Sequence, residues 1–200
     1  MTTRKSAPER RKQIADAAIK IIGERGLREF TAAQLAREVG ITDATIFRHF
    51  KDMNEVKLAA LDRIHDLLDA PAGPVSPNPL VRLEQFIRRR LHSIAVQPDL
   101  PSVIFSDQIS HALGDEGPLR VAALRNRGRE FVRSCLRDAA QQGLIRSDID
   151  IEATTILITG MVMGVLFAAK DGALTAPIAE MGERCWRTLE SMLQPVRVTQ

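Results

Sequence analysis

The residues best suited to chemistry lie close together in FTAAQLAREVGITDATIFRHFK, residues 30–51. Thr42 and Thr45 carry hydroxyls that can donate to phosphate oxygens or to base edges. Arg48 carries a guanidinium that can bond a guanine edge bidentately or pair with a phosphate. Ala44 and the threonine methyls can touch a thymine methyl, and Lys51 suits a phosphate. At 3.6 residues per turn Thr42, Ala44, Thr45, Phe47 and Arg48 fall on the outer face of one short helix, with His49 at its edge. The plain alternative is the solvated face of a small helical bundle.

No comparable set points to catalysis. The chain has no Ser/His/Asp or Cys/His constellation, no metal-type cluster of ligands and no phosphate-cradling loop. No cofactor or metal is expected, nor an enzyme. The chain has no tyrosine, so a phenol is available neither for acid chemistry nor for a phosphate contact. Cys135 and Cys185 fall on apolar helical stripes and read as buried free thiols.

Charge supports an anionic partner at the N-terminal end. Residues 1–51 hold 11 Lys/Arg against 6 Asp/Glu, whereas residues 52–200 hold 17 against 19. A basic first quarter on a mildly acidic remainder suits nucleic acid or an anionic surface. The start MTTRKSAPERRKQ lacks the apolar core of a secretory signal. The longest uncharged run, Ala153 to Ala169, has 17 residues interrupted by threonines and glycines, short of the roughly 20 that a membrane span needs. No membrane association and a cytoplasmic location are expected.

The elements that would position these groups are helical throughout. Ile14, Ala17, Ala18, Ile21 and Ile22 recur at helical spacing until Gly26. Thr31 and Gln34 have capping-box spacing and open a short helix that Gly40 ends. Thr42 can cap the next, through Phe50, with Asp43 in its first turn where the macrodipole favours a carboxylate. Ala36 is small where two helices must cross, Gly40 permits a left-handed turn, and Ile46 and Phe50 can close a core. This is the helix-turn-helix plan, whose second helix enters the major groove. A fourth helix spans about Met53 to Leu68, before the proline-rich loop 71–79. Further helices are expected from about Leu83 to Gln97, from Val103 to Ala112, from Pro118 (at the first helical position) to Gln142, from Ile151 to Lys170, and from Pro177 onward. The fold class is all-α with about nine helices. Residues 1–8 read as a flexible basic arm, 9–52 as a DNA-binding domain and 53–200 as a ligand-binding and dimerisation domain.

Residues 10 to about 61 resemble the DNA-binding domain of the TetR family of transcriptional regulators. The resemblance rests on Ile14, Ala17-Ala18, Gly26, Phe30-Thr31, Leu35-Ala36, Val39-Gly40-Ile41-Thr42, Ile46 to Lys51, Asn54-Glu55 and Leu58. It implies that Thr31 and Thr42 contact phosphates at two helix N-termini. It further implies that Ala44, Thr45 and Arg48 face bases and that His49 and Lys51 contact the backbone. Phe47 departs from the family pattern, which most often has tyrosine there with its hydroxyl on a phosphate. The family plan also implies a homodimer on a palindromic operator, regulated by a small-molecule effector. The alternative is a DNA-bound structural or interaction protein of the same fold with no effector.

The second half is less explicit. Gly160, Gly164 and Ala168 recur every four residues, a face small enough for close helix approach, flanked by Leu157, Met161 and Val165. With Met181, Cys185 and Leu189 of the last helix they are expected at the dimer interface; the plain alternative is an ordinary core helix. Phe86, Phe105, Phe131 and Met163 are candidate pocket residues for an apolar or amphipathic ligand, with Gln108 or Thr155 as polar anchor; the leading reading of each is nonetheless plain core. Arg88-Arg89-Arg90 reads as a solvated face. Arg125, Arg129, Arg133 and Arg137 form a ridge, either paired with acids of a neighbouring helix or free for an anion. His65 reads as core, His92 as exposed, and Trp186 as interface packing.

Overall fold

The structure is a computed structural model that describes residues 5–69, 76–96, 103, 113 and 116–195. Among these residues there are eight α-helices and no strand. Helix α1 spans Ala7–Arg25, two residues earlier than its apolar periodicity suggests. The cause is a capping box. Ser6 Oγ accepts the Glu9 amide, and the Glu9 carboxylate accepts the Ser6 amide at 2.8 Å. Pro8 is tolerated there because first-turn amides have no intrahelical partner. The expected arm over residues 1–8 therefore loses its last two residues to α1, and residues 1–4 lie outside the described set.

A single 3-10 turn, Leu27–Glu29, leads into α2 (Ala32–Val39), α3 (Asp43–Phe47) and α4 (Met53–Asp69). Thr31 caps α2 by accepting the Gln34 amide at 3.2 Å. The return arm of the expected box is not made. The Thr31 amide donates to the Glu29 carbonyl, and the Gln34 oxygen accepts from Arg37. Gly40 is left-handed (φ 73°, ψ 41°), and the amides of Gly40 and Ile41 return to the Arg37 and Ala36 carbonyls. Helix α3 ends three residues before the expected Phe50. Beyond it, amide bonds from Arg48 to Ala44 and from Phe50 to Ile46 continue the helical curl.

These helices share one core. Ile14, Ala18, Ile19 and Ile21 of α1 are buried with Leu35 and Ala36 of α2, Ile46 of α3, Phe50, and Val56, Ala60 and Ile64 of α4. Burial at roughly 25 cal/mol per Å2 of apolar surface is what holds such short helices, since isolated ones are marginal in water. Ion pairs fasten the rim, Lys20 to Glu38 at 2.6 Å and Arg63 to Asp16 at 2.7 Å. The more open of the two, Lys20–Glu38, adds little, about 0–1 kcal/mol, and fixes orientation more than stability.

By packing, the chain divides into two compact units: Met1–Ala70 with Gln97–Leu124, and Pro71–Val96 with Arg125–Gln200. The first keeps Met53–Asp69 with the helices before it, whereas the expected boundary fell at residue 52. The second contains α5 (Pro79–Val96), most of α6 (Glu116–Gln141), α7 (Ile151–Lys170) and α8 (Ile178–Leu193). Asn78 caps α5, accepting the Leu80 amide at 2.9 Å, and Pro79 takes the first helical position. Pro118 sits in the first turn of α6 but not at its first residue. The short helix expected over Val103–Ala112 lies outside the described residues, apart from Val103, which is buried.

The second core is built from Leu83, Ile87 and Leu91 of α5, Val132, Cys135, Leu136 and Ala139 of α6, Ile158, Val165 and Leu166 of α7, and Trp186 and Leu193 of α8. Helices α5 and α8 approach very closely: a Cβ added at Gly182 would lie 2.4 Å from Leu91 Cδ1. Glycine is disfavoured in a helix by about 1 kcal/mol, and here its missing side chain is the space Leu91 fills. Trp186, expected at an interface, is instead 4% exposed and belongs to this core. Cys185 is half-buried and Cys135 fully buried, both as free thiols; burial pushes the Cys135 thiol up and leaves it less reactive.

Candidate nucleic-acid interface

The outer face of α3 is open. Thr31, Thr42, Ala44, Phe47, Arg48 and Lys51 are exposed, while Thr45 and His49 are half-buried. Directly behind them Ile46 and Phe50 are sealed in the core, at 0% and 2% exposure, so the helix is anchored by one side and presents the other. Thr42 caps α3 by accepting the Thr45 amide at 3.3 Å. The two threonine hydroxyls lie 2.9 Å apart, so one hydroxyl proton bridges them and the other can donate outward. With Thr31 capping α2, two exposed helix starts carry a hydroxyl each, the arrangement expected of phosphate contacts. Asp43 occupies the first turn of α3, exposed, where the macrodipole favours a carboxylate.

Phe47 is 46% exposed. A ring so placed has room at its para position for a hydroxyl. Phe47→Tyr is expected to leave the thermal midpoint unchanged and to tighten DNA binding by about 1 kcal/mol, the net worth of one hydrogen bond. Because no charge is added, the salt dependence should not move. Titration of both proteins onto one duplex checks this, and equal affinities would place that phosphate out of reach.

The sequence pointed to Glu55 through the family resemblance, but not to the support that Arg11, Asp52 and Glu55 together give this face. The Arg11 guanidinium donates to the His49 carbonyl and, at 2.7 Å, to Glu55, while lying 4.0 Å over the Phe50 ring. Glu55 also accepts the Lys51 amide at 2.6 Å. That amide and Arg11 hold the Glu55 carboxyl below the usual carboxylate range. Asp52 caps α4 through the Glu55 amide at 2.9 Å. The spacing Asp52-x-x-Glu55 was the available signal, since it matches a helix start.

The candidate ligand residues are only partly brought together. Phe86 and Phe131 stack with ring centroids 4.9 Å apart. Arg90, expected on a solvated face, lies 4.8 Å over Phe86 and beside Gly128, where a Cβ would meet its Nη2 at 3.2 Å. Thr155, proposed as a polar anchor, is 1% exposed and spends its proton on the Ile151 carbonyl at 2.7 Å. Met163 is half-buried; Phe105 and Gln108 lie outside the described residues. The arginine ridge is partly consumed: Arg133 pairs with Glu130 and Glu152, and Arg137 with Glu130 at 3.4 Å. Arg88 bridges Glu84 of its own helix and, at 2.6 Å, Glu183 of α8.

Helix α7 has a second open face. Ile156, Leu157 and Phe167 are 67%, 68% and 52% exposed. Gly160 and Gly164 lie between them with nothing within 4 Å of an added Cβ. Met161 and Ala168 are half-buried at its margin, but Val165 points into the chain's own core at 6% exposure. On α8, Met181, Cys185 and Leu189 are half-buried and Met192 is 64% exposed. By length and composition α7 is the one helix among the described residues able to cross a membrane. Its opposite side packs Thr155, Ile158 and Leu166 into the second core, as in a helix of a folded domain.

A short helix held by a left-handed glycine turn against a second one, whose exposed face carries hydroxyls and a guanidinium, defines a helix-turn-helix DNA-binding protein. Family models bear this out: one for bacterial regulatory proteins of the tetR family matches residues 14–60, and one for a tetracyclin repressor-like C-terminal domain matches residues 76–167. The chain belongs to the TetR family of transcriptional regulators. It is 26% identical over 207 residues to the HTH-type transcriptional repressor BepR of Brucella suis biovar 1, covering 99% of each chain. In fold it matches a transcriptional regulator from Saccharomonospora viridis in complex with choline, with TM-score 0.75, 20% identity and coverage of 94% of this chain and 98% of that one. It likewise matches AibR in complex with isovaleryl coenzyme A and operator DNA, with TM-score 0.67, 20% identity and coverage of 90% and 97%.

Proposed function

We propose that this protein is a dimeric, ligand-responsive repressor that reads a palindromic operator in the cytoplasm. The observation carrying this reading is the exposed face of α3, Thr42, Ala44, Thr45, Phe47 and Arg48, backed by fully buried Ile46 and Phe50. Arg48 and Thr45 read base edges in the major groove. Thr31, Thr42, His49 and Lys51 hold phosphates, and Ala44 and Phe47 supply apolar contacts. The open apolar face of α7, with the half-buried Met181, Cys185 and Leu189 of α8, joins two protomers. A two-fold dimer then sets its two recognition helices about 34 Å apart, one turn of DNA.

The effector is a small apolar or amphipathic molecule bound in the second unit beside the Phe86–Phe131 stack. Relatives of the same fold include one solved with choline and one with isovaleryl coenzyme A, and the full-length relative BepR is named a repressor. A ligand of this kind releases DNA only if it binds the DNA-free arrangement more tightly than the bound one.

The test begins with selection of a duplex from a random library by the full-length protein. Arg48→Ala is then expected to cost about 1–3 kcal/mol on the selected duplex and to relax preference at one base pair of each half-site. An unchanged affinity and preference would remove Arg48 from base reading. Failure of the unaltered protein to enrich any duplex would overturn the DNA-binding assignment itself.

A further inference from the structure

The α3–α4 junction carries more hydrogen bonding than a connecting turn requires. At a helix C-terminus the last carbonyls lack intrahelical partners, and in an exposed turn water satisfies them without help. Here the His49 carbonyl is taken by Arg11, a residue 38 positions earlier on α1. The same guanidinium continues to Glu55 in the first turn of α4 and lies 4.0 Å over the Phe50 ring. Glu55 uses its second oxygen on the Lys51 amide. One arginine and one glutamate thus grip the peptide groups on both sides of Phe50, from two different helices.

We propose that Arg11 and Glu55 are positioning residues for DNA reading, acting on the backbone at His49 and Lys51 and touching no base. Their grip fixes the two peptide planes between residues 49 and 51, the stretch that carries His49 and Lys51 and directly follows Arg48. A displacement of about 0.5 Å at such a support is enough to misplace the groups it carries. The arginine is specific to the task. A lysine can pair with Glu55 as a point charge but cannot also span to the carbonyl and stack on the ring, because it lacks the planar fork.

This inference rests on the reading of α3 as a recognition helix, and its experiment separates the two. The full-length protein first selects a duplex; if it enriches none, the DNA-binding reading fails before the clamp is tested. Glu55→Ala, Arg11→Lys and the double variant are then titrated onto the selected duplex and onto a scrambled duplex at one salt concentration. Glu55→Ala makes the protein more positive by one charge, so electrostatics alone would tighten both complexes. The clamp instead requires the ratio of selected to scrambled affinity to fall about tenfold, with the scrambled complex unchanged or tighter. The double variant should lose no more than the worse single one, since both break one unit. Arg11→Lys keeps the charge and should lower the ratio three- to tenfold with its thermal midpoint within a few degrees. It carries the test alone if Glu55→Ala does not fold. A ratio that stays within twofold of the unaltered protein in the folded variants overturns the proposal, as does an equal loss on both duplexes.

Discussion

Phe50→Ala is expected to be the most damaging single truncation in the DNA-binding unit, lowering its unfolding free energy by about 3–5 kcal/mol. The ring is 2% exposed and is among the largest fully buried side chains of the protein. Its removal forfeits the transfer energy of an aromatic side chain and leaves a cavity that short helices close only in part. It also removes the face on which Arg11 rests, a cation–π contact worth about 0.5–2 kcal/mol. The cavity is the larger of these effects, so Phe50→Leu should retain most of the stability although it also loses the aromatic face. Urea unfolding of both variants checks the order. A loss below about 1 kcal/mol for Phe50→Ala would show that the ring does not organise this core.

Leu157→Glu is expected to act on assembly and leave the protomer intact. At 68% exposure the side chain already meets water in the single chain, so a carboxylate there costs the fold almost nothing. In a two-fold dimer each change is present twice, and each buries a charge without a partner. Such burial costs about 3–5 kcal/mol. The dissociation constant should rise by at least about a hundredfold, and the protein should sediment as a monomer at micromolar concentration with unchanged helical content. Operator affinity should fall with it, because two linked heads bind far more tightly than one. A variant that remains dimeric would place the interface elsewhere than on α7.

Local chemistry was legible in the sequence wherever one element explains itself. Thr31 and Thr42 cap the helices they precede, and Gly26 and Gly40 end theirs, because caps and turns depend on neighbours within four residues. The exposed face of α3 followed from its period for the same reason. Ser6 was equally local, yet the apolar periodicity begins later and drew the start of α1 toward Glu9. What could not be read depends on residues far apart in the chain. Arg11 meets His49, Asp16 meets Arg63, and Gly182 admits Leu91, and no spacing rule links such pairs. Trp186 and Arg90 were misplaced by the same gap. A stripe shows that one side of a helix is apolar, not whether the covering surface belongs to the same chain.

The Arg11–Glu55 grip has a consequence for how such a protein changes its target. Its hydrogen bonds beyond the pair itself go to main chain, a carbonyl that every residue type carries and an amide that only proline lacks, and its one side-chain contact is the buried Phe50 ring. The outward side chains at positions 42, 44, 45, 47 and 48 are not part of the fastening, beyond the cap that Thr42 provides. They can therefore be exchanged as a set while the frame that aims them stays the same. A new operator preference is reachable by substitutions confined to about two helix turns, with no compensating change required in the core behind it.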